Sequence, residues 1–316
     1  MAEPLAYLNG RLLPASQACL PVYDTGIVLA ATVTEQERTF HQQPYRLEEH
    51  LDRLFDSLKT VRIESPLGKS QIAELSRDLA ARNVSLLERG GELGIIQFVT
   101  AGSYQGYAGM TTAPVHEGPS VCVHTFPLIF RRWAGKMERG VHLVTPATRQ
   151  VPPQCYDPRI KGRSRMHFYL AEQEARLLDG EAWALLLDVD GHVAEAAGAN
   201  FLMMKRGTLH SPLPANILPG VSKAVVMRLA DRLGIPFCER DLNVGDVLDA
   251  DEAFLTSTPY CMLPVSRVNG VPIGSGKPGP AFERLLEAWS KEVGLDIRKQ
   301  ILQGHEEPEA PARIRD

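Results

Sequence analysis

Apolar positions along this chain change their spacing several times, and each change marks an element. Leu47, Leu51, Leu54 and Leu58 recur at three- and four-residue steps, which predicts an amphipathic helix over 47–60. A second helix is predicted over about 69–88, with Ile72, Leu75 and Leu79 on one face. Ahead of both, AYLNGRLL reads as a hairpin, because Asn9-Gly10 is a two-residue turn signal. Strands are predicted at 93–101 (LGIIQFVTA) and 120–126 (SVCVHTF). Residues 129–160 are rich in Arg, Pro and Gly and weakly periodic, so they read as a connection plus the first strand of a second lobe. That lobe continues with a helix at 164–178, a hairpin at 183–195 turning on Asp190-Gly191, and a strand at 200–205. A Pro-rich loop at 211–219, a helix at 221–233, a strand at 253–258, a hairpin at 265–273 and a helix at 280–293 complete the order. Regular βαβ alternation is absent, which predicts an α+β fold rather than a doubly wound sheet.

Length and composition narrow the function classes. A chain of 316 residues accommodates two lobes: a small one over 1–128, an interdomain loop at 129–135, and a large one over 136–302. Residues 303–316 read as a flexible, proline-punctuated tail. Lys plus Arg (34) against Asp plus Glu (38) gives a net charge of -4, which argues against a nucleic-acid binder. The five cysteines form no CxxC pair and the nine histidines no HxxxH pair, so neither a disulfide framework nor a metal site is expected. No apolar run approaches the ~20 residues needed to span a bilayer. The opening MAEPLAYLNGRLL lacks a basic segment followed by an apolar run, so a soluble, cytoplasmic protein is expected. Gly274, Gly276 and Gly279 match GxGxxG, but Pro278 sits inside the match and no βαβ unit surrounds it.

Arg159, Lys161, Arg163 and Arg165 alternate at period two and would share one face of an extended segment. Three readings are open for these four charges. They form a solvated strip, a phosphate or RNA contact without interleaved stacking aromatics, or a setting for one special lysine. In the last, cationic neighbours and partial burial favour the neutral amine that attacks a carbonyl.

Three further segments raise that last reading. They are His50-Leu-Asp-Arg53-Leu-Phe-Asp-Ser57, Gly191-His-Val-Ala-Glu195-Ala-Ala-Gly-Ala-Asn200, and Ile217-Leu-Pro-Gly220-Val-Ser222-Lys running into a helix. Together with Arg159-Ile-Lys161, their order and spacing resemble the class IV (fold-type IV) pyridoxal-phosphate aminotransferases. That family includes branched-chain aminotransferases, D-amino-acid aminotransferases and aminodeoxychorismate lyases. The resemblance covers about residues 6–295.

What the resemblance implies is a two-lobe α+β fold of the D-amino-acid aminotransferase type, with pyridoxal 5'-phosphate between the lobes. Lys161 matches the lysine that bonds the cofactor and shuttles the substrate proton. Glu195 matches the carboxylate on the pyridine nitrogen, and Arg53 the arginine on the phosphate. Val221 and Ser222 fall at the phosphate cup of a helix start, and Ser257 and Thr258 close it. Thr34, Thr258 and Pro259 fall in the substrate pocket. The resemblance further implies a homodimer and a ping-pong exchange between an amino acid and a 2-oxo acid such as 2-oxoglutarate.

The subfamily pattern is broken in several places. Ala101 stands where D-specific members carry an arginine, and Ser103 where a histidine is typical. Met166 replaces the tyrosine found five residues after the lysine in branched-chain members. Pro259 removes a backbone N–H that those members offer to the substrate carboxylate, and Thr34 replaces a pocket aromatic. Transamination of a branched-chain or other apolar L-amino acid leads. The alternatives are an aminodeoxychorismate lyase-type or D-amino-acid reaction, or cofactor binding without turnover.

Overall fold

The computed structural model of the chain describes residues 3–88, 90–108, 116 and 118–303, with Ala108 as backbone only. In chain order the elements begin with β1 (Leu5–Leu8), β2 (Arg11–Pro14), α1 (Thr25–Val28), β3 (Thr32–Phe40) and β4 (Gln43–Pro44). Next come α2 (Leu47–Val61), α3 (Lys69–Asn83), β5 (Leu93–Thr100), α4 (Gln105–Ala108), β6 (Val121–Pro127), α5 (Arg131–Arg139) and β7 (Val141–Val144). They continue with α6 (Met166–Leu178), β8 (Trp183–Leu187), β9 (Val193–Ala196), β10 (Ala199–Lys205), β11 (Thr208–Ser211), α7 (Val221–Arg232) and β12 (Phe237–Glu239). The last are α8 (Val244–Leu248), β13 (Glu252–Ser257), β14 (Cys261–Val268), β15 (Val271–Pro272), α9 (Pro280–Val293) and α10 (Ile297–Gln303). The α+β class expected from the sequence is the class observed.

The chain divides into two compact units. One holds the residues up to 128 together with 148–170 and 214–221, and the other holds 129–147, 171–213 and the described residues from 222 onward. In the first unit a six-stranded sheet runs β2-β1-β6-β5-β3-β4. Its core forms because α2 and α3 lay Leu51, Leu54, Leu58, Ile72 and Leu79 on Val33, Ile95, Val99, Val121 and Val123. Successive strand residues point to opposite faces, so Thr34, Phe98, Cys122 and His124 belong to the face away from these helices. The β1–β2 turn is Asn9-Gly10 with φ of 48° and 85°, as a two-residue hairpin of right-twisted strands requires. Asn83, at the end of α3, receives the Leu5 N–H (2.8 Å) and donates to the Leu5 carbonyl (2.7 Å) and Thr125 Oγ1 (2.8 Å).

The second unit carries a nine-stranded sheet. Six of its strands, β10-β13-β14-β7-β8-β9, close on themselves because β9 pairs with β10 as well as with β8. Helix α9 contributes Phe282, Leu285 and Trp289 to the buried set, and Phe282 lies 6.1 Å from Phe254 of β13.

Several expectations need correction. The stretch expected as a loop at 129–135 contains the start of α5, whose polar sequence buries only Ala134 and Met137. The longest strand of the first unit, β3, was not predicted, because charged residues occupy its inward positions. Strand β12 and helices α8 and α10 were also unpredicted, being short. The second helix ends at Asn83 and tightens into a 3-10 turn over Val84–Leu86. Strand β13 stops at Ser257, which leaves Thr258 in the turn to β14. Of the expected tail, Gln303 ends α10, and 304–316 lie outside the described residues.

The Asn83 contacts make a stability prediction. Replacing Asn83 by Ala strips the Leu5 amide and carbonyl of buried partners, so stability should fall by about 1–3 kcal/mol. A lower urea midpoint is the expected result, and an unchanged midpoint would show those contacts to be dispensable.

Candidate active site

In the first unit the chemistry gathers around one buried carboxylate. Glu35 of β3 has no solvent exposure, and Arg53 of α2 grips it through Nε to Oε2 (2.8 Å) and Nη2 to Oε1 (2.7 Å). His50, one helical turn before Arg53, lies with Nδ1 3.1 Å from Glu35 Oε1, and the Gln36 N–H donates to the same oxygen (2.8 Å). Burial opposes ionisation of Glu35, but the Arg53 and His50 interactions outweigh it and hold the carboxyl well below the usual carboxylate range. Burial lowers the His50 pKa against the pull of Glu35, with Arg53 and Lys161 adding to the lowering. A neutral His50 beside an ionised carboxylate must carry its hydrogen on Nδ1.

Arg53 reaches one step further. Its Nη1 donates to the carbonyl of Pro219 at 2.7 Å, two residues ahead of the first residue of α7. Three of its five N–H groups are thereby used, and two remain for an anion. Val221 and Ser222 occupy the first turn of α7, where backbone N–H groups and the helix dipole also suit an anion.

Lys161 is half-buried and is held through its backbone. Its carbonyl accepts the Thr34 N–H (2.8 Å), its own N–H donates to Ser57 Oγ (3.3 Å), and Gly162 bridges antiparallel to Val33. The Arg163 N–H then donates to the Thr32 carbonyl (3.0 Å). Residues 161–163 thus extend the sheet along the free edge of β3, and Thr34 lies beside the lysine. Arg159, by contrast, is exposed and chelated by Asp157, as a solvated strip would have it.

The second unit presents a second buried carboxylate. Glu195 on β9 and Asn200 on β10 are paired across the turn Ala197-Gly198, and Asn200 Nδ2 donates to Glu195 Oε2 at 3.3 Å. Ser257 Oγ donates to the Gly198 carbonyl (2.7 Å), which fastens the end of β13 to that turn. Thr258 and Pro259 follow directly, and Tyr260 packs between Trp133 (5.7 Å) and Trp183 (6.1 Å).

Of the residues expected from the sequence, Arg53, Lys161, Thr34 and Val221 therefore fall within the first unit. Glu195, Ser222, Ser257, Thr258 and Pro259 fall within the second. Glu35, His50, Ser57 and Asn200 were not singled out. A signal for two of them exists: His50 and Ser57 stand three residues before and four after Arg53, a polar stripe alongside the leucine stripe of α2.

Comparison with known proteins bears on this arrangement. Residues 32–268 match the family described as amino-transferase class IV. The chain is 29% identical over 294 residues to branched-chain-amino-acid aminotransferase-like protein 1 of Arabidopsis thaliana, covering 92% of this chain and 51% of that protein. It thus spans about half the length of that relative. It is 26% identical over 298 residues to D-alanine aminotransferase of Bacillus licheniformis, covering 93% of this chain and 98% of the relative. Among solved structures it is similar to the branched-chain amino acid aminotransferase of Escherichia coli, with a TM-score of 0.82. Identity there is 26%, over 92% of this chain and 94% of that one.

Beside Glu35 lies Glu37, also without exposure, whose Oε2 accepts from Gln97 Nε2 at 2.8 Å. Burial first, then repulsion from Glu35, raises its pKa well above the usual carboxylate range. A raised folded pKa leaves the fold unpenalised at low pH and costs stability as pH climbs from the ordinary range towards the raised value. Glu35 has the opposite sign: its contribution is present at neutral pH and fades as pH falls below the ordinary range. Glu37→Gln should therefore raise the denaturation midpoint over the wild type at about pH 8, with the margin closing near about pH 4. Equal margins at both pH values would contradict a raised Glu37.

Proposed function

The chain belongs to the amino-transferase class IV family, and from that premise we propose that it is a transaminase that uses pyridoxal 5'-phosphate to move the amino group of an apolar, branched-chain type L-amino acid to a 2-oxo acid such as 2-oxoglutarate. The observation that carries the proposal is the link from Arg53 to the Pro219 carbonyl (2.7 Å). It ties a clamped guanidinium with two N–H groups to spare to the start of a helix, a donor set suited to a phosphate monoester. The remaining donors fit the same group: an amine for an aldehyde (Lys161) and a buried carboxylate for a protonated ring nitrogen (Glu195).

When bound, pyridoxal phosphate supplies an aldehyde that carries the amino group and a ring that accepts the electron pair released at the substrate's Cα. Lys161 would hold the aldehyde through its amine, and the same amine would move the proton at the substrate's Cα. Glu195, which accepts from Asn200 Nδ2 (3.3 Å), would hold the ring nitrogen and keep it protonated. By the family's pattern, Arg53, the Val221 N–H, Ser222, Ser257 and Thr258 would hold the phosphate. Thr34, Thr258 and Pro259 line the substrate, Pro259 without an N–H to give it. Homodimeric assembly and a cytoplasmic setting belong to the same proposal and rest on the family resemblance. Among the described residues no helix is long and apolar enough to cross a membrane.

A D-amino-acid reaction is the second reading, favoured by the similarity to D-alanine aminotransferase and opposed by Ala101. One titration separates the two. Purified protein with pyridoxal phosphate should show a visible absorption band that L-leucine and L-glutamate bleach and D-alanine does not. Bleaching by D-alanine alone would reverse the handedness, and a band that no amino acid moves would sink transamination of these donors.

Two variants test the assigned roles. Lys161→Ala should abolish the borohydride-reducible link to the cofactor, and an undiminished link would put that bond on another lysine. Glu195→Gln should keep the cofactor while slowing single-turnover transamination by roughly 100-fold or more. Unchanged turnover would remove Glu195 from the chemistry.

A further inference from the structure

Arg163 has a feature that the proposed chemistry leaves unused. Its guanidinium lies 5.2 Å from the Phe98 ring centroid and its Nη2 is 3.4 Å from Thr34 Oγ1. No carboxylate lies within ion-pair distance of it among the described residues, whereas Arg159 of the same alternating run is chelated by Asp157. The ladder along β3 places Lys161 opposite Thr34 and Arg163 opposite Thr32, on either side of the Gly162–Val33 bridge. Side chains that flank a bridged residue leave on one face, roughly 7 Å apart along extended chain. The Arg163 head leans back from there to Thr34, the residue whose N–H is bonded to the Lys161 carbonyl.

The other charge that acts on that guanidinium is also a cation, Arg165. Thr34, Phe98 and Cys122 stand side by side on β3, β5 and β6, on the sheet face away from α2 and α3. His124 packs edge-on to Phe98 (6.4 Å), and burial, then Arg163, lowers its pKa, so it is neutral near pH 7. Burial pushes the Cys122 thiol up to about 12. Thr34 Oγ1 gives its hydrogen to the Gln97 carbonyl (3.0 Å) and so accepts from Arg163, which steadies the guanidinium over the Phe98 ring with N–H groups to spare for a carboxylate.

We infer that Arg163, steadied by Thr34 Oγ1, binds the distal carboxylate of a dicarboxylic substrate, the acidic member of the amino and 2-oxo acid pair, while its amino carbon faces Lys161. This rests on the transaminase chemistry proposed above and assigns the residue that distinguishes dicarboxylic from monocarboxylic substrates. Arg163 is a specificity residue and takes no part in proton transfer.

The test uses full-length protein loaded with pyridoxal phosphate. Arg163→Gln should raise KM for L-glutamate relative to KM for L-leucine by about 10- to 100-fold, the loss expected for a hydrogen-bonded charge. Arg163→Lys should recover part of that ratio, and Arg159→Gln, an exposed neighbour outside the site, should leave it alone. Calorimetric titration with glutarate, a dicarboxylate with no amino or oxo group to exchange, should show binding to the wild type and at least tenfold weaker binding to Arg163→Gln. Equal losses for glutamate and leucine, or an unaltered glutarate affinity, would overturn the assignment. A wild type that binds glutarate through Arg163 but bleaches with no amino acid would instead overturn the proposed chemistry and leave the anion site standing.

Discussion

A carboxylate sealed from water with an arginine locked across it governs the first unit. Taking Glu35 and Arg53 out of solvent is costly, and the pair is stable only because its geometry is bidentate and its other lone pairs are used. His50 and the Gln36 N–H take up the rest of the carboxylate, and Pro219 takes one more N–H of the guanidinium. The consequence is positional. An arginine on an exposed helix face samples many rotamers, whereas this one is held in place before any anion arrives, which reduces the ordering that binding must supply. The Arg53 guanidinium also bonds the Pro219 carbonyl, so β3, α2 and the segment that holds Pro219 are tied together at one ion pair.

Strand β3 carries most of this burden. One of its faces holds Val33, Glu35 and Glu37 towards α2 and α3, and its free edge receives Lys161 to Arg163. Lys161 therefore stands on a sheet ladder rather than on a loose connection, although only three residues extend the ladder. The role proposed for Lys161 depends on that restraint, since small displacements at a reacting atom are expensive in rate. Glu37 is the accompanying cost. Two carboxylates alternate along one buried face, and the one without an arginine is pushed towards its neutral form.

The second unit holds its buried carboxylate at a turn between strands. Glu195 sits at a tight turn between two strands that close a ring of six, and the ring cannot open there without losing the β9–β10 pairing. Asn200 and the Ser257 bond to Gly198 pin the turn from two sides. A carboxylate on such a closed scaffold is pre-aimed in the way that sites on rigid elements are.

Periodicity alone sufficed for the long helices α2, α3 and α9 and for the Asn9-Gly10 and Asp190-Gly191 hairpins, because a leucine stripe or a turn dipeptide is a local property of the chain. The motif residues Arg53, Lys161 and Glu195 were also legible, since their spacing to neighbours such as Pro219-Gly220 and Asn200 survives in one dimension. Strand β3 was not legible. Its inward positions are Glu35 and Glu37, and a charged residue reads as exposed until its partner is known. That partner, Arg53, comes from a helix, and only packing decides that Arg53 turns inward to Glu35 instead of outward to solvent. Likewise four alternating cations look equivalent on paper. The fold gave Asp157 to Arg159, buried half of Lys161 along β3, and left Arg163 over Phe98 with no acidic neighbour among the described residues. Sequence by itself determined which chemical groups the protein owns, and tertiary structure decided which charges are neutralised, because neutralisation depends on neighbours that lie far apart along the chain.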